Sequence, residues 1–187
     1  SKKKRLKIGT FKVVLNGYKL GERFIKIIFD NAIKQKVEEI YVTIFNKSLE
    51  HQRLISLLEE FGFIYHGIKH NKYGDESVYI RDMTKTFDEQ NPKFTYPFFK
   101  ENSKAYIVPI KPEYHTSLLP DSILKTEKPA DFVENESFRN AISKVYISRS
   151  WFRDLHRGDT IVFYRTGSYY HAVISTIGVI ESVVANI

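Results

Sequence analysis

Residues 16–24, NGYKLGERF, set two glycines four residues apart, at 17 and 21, with Lys19 and Arg23 interleaved, directly ahead of an amphipathic helical pattern. A helix N-terminus presents backbone N–H groups that lack intrahelical partners, together with the positive end of the helix dipole, so it attracts phosphate. Glycine lets the backbone come close to a bulky anion, and the two cations add charge. A diphosphate-bearing cofactor is one natural tenant of such a turn. Glycine before a helix is also ordinary turn chemistry, and these nine residues leave both readings open.

A second group with chemical potential lies late in the chain, where Arg149, Arg157 and Arg165 interleave with Trp151, Tyr164, Tyr169 and Tyr170. Cations among aromatics can neutralise phosphate and stack on bases; the alternative is aromatics packed between strands with the arginines in solvent. Residues 83–187 carry 13 Lys/Arg against 12 Asp/Glu, so this half suits a pocket better than a long polyanion groove. His115, in the run PEYH, reads as a loop cap or a pocket contact. His66 and His70 straddle a predicted hairpin with no acidic pair beside them, so no metal is expected. Neither a G-x-S-x-G elbow nor a Walker loop occurs. With no cysteine, thiolate nucleophiles, thiolate metal sites and disulfides are excluded.

The elements that must position these residues follow from periodicity. Residues 6–15 alternate as a strand with an irregularity at Gly9–Thr10. Residues 19–36 put Leu20, Phe24, Ile27, Ile28 and Ala32 at helical spacing. Residues 39–45 read as a buried strand, 50–61 as a helix stopped by Gly62, and 63–69 with 77–81 as a hairpin. The first half is thus β-α-β-α-β-β, with right-handed crossovers and locally parallel strands. Residues 84–104 lose any period and contain Pro92 and Pro97, which marks a linker. Beyond it, residues 105–110, 144–148, 160–165 and 171–184 read as strands and 131–142 as a helix, a β-rich unit of barrel or sandwich type. The expected organisation is 1–83, a linker at 84–104, and 105–187.

Strand, glycine turn, long helix, strand, shorter helix ending in Gly62–Phe63 and terminal hairpin together resemble the C-terminal two-thirds of the Gcn5-related N-acetyltransferase (GNAT) family over residues 5–82. The resemblance implies a GNAT-like mixed α/β sheet with flanking helices, lacking the family's first strands, and acetyl-CoA as co-substrate. It implies that Asn16, Gly17, Tyr18, Lys19, Leu20, Gly21 and Glu22 form the pyrophosphate turn, of which only Gly21 matches the family's glycine pattern strictly. It also implies that the strand at Phe11 and Val13 pairs with the pantetheine arm. The family's tyrosine acid, four residues before the Gly-Phe pair, falls on Leu58, and its asparagine near the helix start falls at about His51. Leucine cannot donate a proton, so the acid is Tyr65, His51, solvent or a group outside this chain, or the copy does not turn over. Residues 107–121 and 155–181 similarly resemble the PUA-like barrels (ASCH and EVE domains), which implies RNA or DNA recognition, with Arg149, Arg157, Tyr164 and Arg165 as candidate contacts. The function implied is acetyl transfer to an unidentified amine; the alternative is a non-catalytic nucleic-acid binder on a degenerate scaffold.

Composition bounds these readings. The 187 residues are 42% hydrophobic and 14% aromatic, enough for one large or two small cores. The net charge of +7 lies in the first half, where residues 1–82 hold 16 Lys/Arg against 10 Asp/Glu. Four of these form the run Lys2–Lys3–Lys4–Arg5, read as a solvated terminus or an anion contact. No apolar run nears the roughly 20 residues that span a bilayer, and no leader is evident, so a cytoplasmic protein without membrane contact is expected. The only methionine is Met83, which suggests a piece of a longer chain.

Overall fold

The computed structural model describes residues 3–11, 17, 19–85, 87–88, 90–122, 137–148, 150, 152, 154–167 and 172–184. It is a mixed α+β structure with two mixed sheets. The first half runs β1 (Arg5–Ile8), α1 (Leu20–Lys34), β2 (Glu39–Ile44), α2 (Leu49–Glu60), β3 (Ile64–Asn71) and β4 (Gly74–Asp82). Its sheet has the order β1-β2-β4-β3, with β1 and β2 parallel and the remaining pairs antiparallel.

Each element has a local cause. Helix α2 starts on Ser48, whose side chain accepts from the His51 amide at 3.3 Å. It stops at Gly62, which takes φ +78, while Gly62 N–H bonds the Glu59 carbonyl and Phe63 N–H the Leu58 carbonyl, a Schellman closure. The hairpin β3–β4 turns through Lys72 and Tyr73. The core packs Ile25, Ile28, Phe29 and Ala32 of α1 and Ile55 and Leu58 of α2 against Ile40, Val42 and Ile44 of β2. The α1 stripe is therefore rotated from the expected one: Phe24 and Ile27 are 37% and 48% exposed. The helix has more apolar residues than one face holds, and Phe24 instead meets Phe11 edge-on at 4.7 Å.

The cationic N-terminal run is not wholly solvated. Lys3 and Arg5 both pair with Glu39, Arg5 Nε at 2.7 Å from Oε2, and the Lys4 carbonyl accepts the amides of Glu38 and Glu39. The aperiodic stretch after β4 contains α3 (Pro92–Thr95), with Tyr96 and Phe98 packed on the first core. Arg81, fully buried on β4, donates to the carbonyls of Asp82 and Tyr96, both at 3.1 Å, and lies over the Phe29 ring. It ties this stretch to the sheet.

The second half contains β5 (Ala105–Ile110), α4 (Pro112–Leu118), a 3₁₀ turn (Pro120–Ser122), α5 (Ser137–Asn140), β6 (Thr160–Arg165) and β7 (Val173–Val179). Its sheet has the order β5-β6-β7, parallel then antiparallel. Among the described residues these strands do not close into a barrel. Residues 144–148, expected as a strand, have no regular structure: Val145 and Ile147 are 83% and 82% exposed, and the Tyr146 ring meets Phe163 edge-on. Of the helix expected over 131–142, residues 137–140 are helical and 131–136 lie outside the described residues. The PEYH run is helical rather than a turn, since Pro112 is pre-organised for the first helical position. No described helix is long and apolar enough to cross a membrane.

Candidate cofactor site

Strands β1 and β2 pair over four residues only, from Arg5↔Glu39 to Ile8↔Val42, whereas β2 runs on to Ile44 and pairs with β4 as far as Ser77. Beyond Ile8, no described strand covers the edge of Thr43 and Ile44 on the β1 side. Residues 12–16, which follow in the chain, lie outside the described residues.

The start of α1 supplies donors. Lys19, the N-cap, has φ 54 and ψ 22 and makes no side-chain cap. A left-handed lysine costs about 1 kcal/mol. The amides of Glu22 and Arg23 both donate to the Lys19 carbonyl, at 3.1 and 3.3 Å. Those of Leu20 and Gly21 find no acceptor among the described residues. Gly17 has φ +87, which a side chain would oppose. Gly21 has a packing reason as well: a Cβ there would stand 2.6 Å from Leu57 Cδ2, so the glycine also lets α1 approach α2.

The side chains around this turn are engaged. Glu22 is buried at 3% exposure; its Oε1 accepts from Lys19 Nζ at 2.8 Å and its Oε2 from the Ile142 amide at 2.9 Å. The hydrogen bond and charge of Glu22 hold the Lys19 ammonium above its usual pKa. Arg23 donates to Asn140 Oδ1 at 3.3 Å. The turn thus brings together backbone donors, with Lys19 and Arg23 already committed to protein partners. Of the expected cofactor contacts, Phe11, Gly17, Lys19, Leu20, Gly21 and Glu22 are described; Val13, Asn16 and Tyr18 lie outside the described residues.

The candidate acids are spread out. Leu58 is fully buried in the core. His51 belongs to the α2 cap, its Nδ1 accepting from the Lys47 amide at 3.4 Å. Tyr65 is on the edge strand β3 and half exposed. Sequence reasoning passed over Tyr79, which stands in the cross-strand row Ile8–Val42–Tyr79–Tyr65 and is 6% exposed. Burial, then the charge of Glu59 and the neighbouring Tyr65, raise its phenol, so it stays protonated through neutral pH. In the sequence the run VYIRD around it carries only a strand signal.

The candidate nucleic-acid contacts do not share a face. Arg165 is 2% exposed and Tyr164, its neighbour on β6, points to the opposite side of the sheet. Arg157 bonds the carbonyls of Glu181 and Gln90, at 2.8 and 3.3 Å, and Arg149 lies outside the described residues. His115 is buried in α4 rather than lining a loop. His70 Nδ1 faces Asp75 Oδ1 at 2.7 Å across the hairpin. An open groove of about 510 Å³, lined by Asn46, Lys47, Ile68, Asp75 and Glu76, lies where β2 ends beside the β3–β4 hairpin. No protein-family model, curated protein or solved structure matches this chain.

Proposed function

We propose that residues 5–82 form a GNAT-like acetyl-CoA-binding module, and that the chain transfers an acetyl group to an amine. The observation that carries this reading is the start of α1, where the amides of Leu20 and Gly21 find no acceptor among the described residues. On this reading those amides hold the diphosphate and the chain after Ile8 pairs with the pantetheine arm. The amine attacks the thioester carbon and gives its proton to water, the tetrahedral intermediate collapses by breaking the C–S bond, and the departing thiolate takes a proton. With Leu58 at the family's acid position, the proton comes from Tyr79. The second sheet belongs, on the same reading, to a PUA-like barrel presenting the acceptor, and cytoplasmic residence follows from the cofactor and the lack of cysteine. The absence of tyrosine at position 58 favours the second reading, a scaffold without turnover.

A matched pair of variants tests the cofactor claim. Gly21→Asp and Gly21→Asn both meet Leu57, but only Asp brings a negative charge. CoA at about 100 times its Kd stabilises a binder by about 2.7 kcal/mol, which raises Tm by roughly 5–10 °C. Gly21→Asn should keep most of that gain and Gly21→Asp lose it, although Asp at a helix start is itself the more stabilising residue. No gain in the parent chain, or equal loss in both variants, would refute the assignment.

A further inference from the structure

The two faces of the second sheet differ. One carries Val108, Ile110 and Phe163 and is packed against Leu118 and Leu119. The other presents two cross-strand rows, Ile107–Val162–Ile177 and Pro109–Tyr164–Ile174, fixed by the pairing of β5 with β6 and of β6 with β7. Ile107 is 69% exposed, Ile174 65% and Ile177 53%, and neither row contains a charged residue.

We propose that this face pairs with the same face of a second copy of the chain, sheet against sheet across a two-fold axis. Charge argues first: a surface without cations gives nothing to a polyanion, whereas a two-fold sets one uncharged face on another and strands no ion. Area argues next. The two rows expose on the order of 500 Å² in each copy, about 1,000 Å² in the pair, which is at the lower limit for a specific interface and contiguous rather than scattered. Stacked sheets about 10 Å apart at a small angle would interleave the three isoleucines with those of the partner. An interface of this size and composition makes a weak, reversible dimer. This inference is independent of the cofactor reading.

Sedimentation velocity over protein concentrations from about 1 to about 200 µM, the range in which weak dimers form, tests it. The expected result is a mass of 21.9 kDa at the dilute end that rises towards twice that value. Ile107→Lys with Ile177→Lys should hold the chain at 21.9 kDa throughout. Val145→Lys with Ile147→Lys, still more exposed but outside the two rows, should dimerise like the parent. If the first pair loses its folded circular-dichroism spectrum, Ile177→Ser alone serves, with at least a tenfold weaker dimer expected. A monomer at every concentration, a dimer that survives the changes in the rows, or one lost in the Val145/Ile147 control would overturn the proposal.

Discussion

Glu39 shows how a charge that looks peripheral in the sequence becomes structural. Its carboxylate is 8% exposed and is held by Lys3 and Arg5, and the hydrogen bond from Lys3 leads in lowering its pKa below the usual range. A carboxylate with a depressed folded pKa stabilises at pH values above its unfolded value of about 4.3, and that stability is lost as pH falls through the window beneath it. Glu39→Gln should therefore cost about 1 kcal/mol at pH 7, a fall of roughly 2–4 °C in Tm, and the difference from the parent should be smaller at about pH 3. Circular-dichroism melts at the two pH values check this. The sequence announced a basic run but not its partner, because Glu39 is brought to it only by the parallel pairing of β1 with β2. Glu22 is a sharper instance. Its place in the glycine turn suggested a ligand contact, while one of its oxygens is taken by an amide 120 residues away. No local pattern encodes that distance.

Among the elements, those with strong periods or terminators were legible, and α2 is the clearest. Its stop at Gly62 follows from glycine's access to positive φ, and the structure adds a second constraint, since a Cβ there would lie 2.3 Å from the Phe94 carbonyl oxygen. Gly62→Ala should accordingly destabilise by about 2 kcal/mol or more, measured by urea denaturation, and loosen the docking of α3 as well as the helix end. Shorter elements escaped. Helix α3 has four residues and no period to display, and residues 144–148 carry a strand-like alternation without a neighbouring strand, among the described residues, to accept their backbone bonds. Alternation encodes side-chain direction; pairing decides whether a strand exists. The candidate site was readable as a glycine turn between strand and helix, but Tyr79 was not, because its row with Val42 and Ile8 exists only once the sheet order β1-β2-β4-β3 is assembled.

The two halves meet at the first turns of α1, through Glu22 with Ile142, Arg23 with Asn140, and Lys26 with Asp121 at 2.7 Å. Lys144 lies in this junction, its Nζ donating to the Arg139 carbonyl at 2.9 Å, and burial pulls its pKa down to about 8. A lysine with a depressed folded pKa opposes folding while protonated. Its penalty is full below about pH 8 and is relieved as pH rises towards the unfolded value of about 10.4. Lys144→Met should thus raise stability at pH 7 by about 1–2 kcal/mol, with the advantage shrinking by pH 10; denaturant midpoints at both pH values read it out. The same junction lies beside the open amides, so what binds there should also be sensed by residues 137–142. Backbone amide NMR on the uniformly ¹⁵N-labelled chain, titrated with CoA, tests the cofactor assignment at its origin. The account predicts that the Leu20 and Gly21 resonances move first and furthest, with Ile142 following. Unmoved Leu20 and Gly21 signals, with or without shifts at the groove beside Asn46 and Glu76, would contradict it.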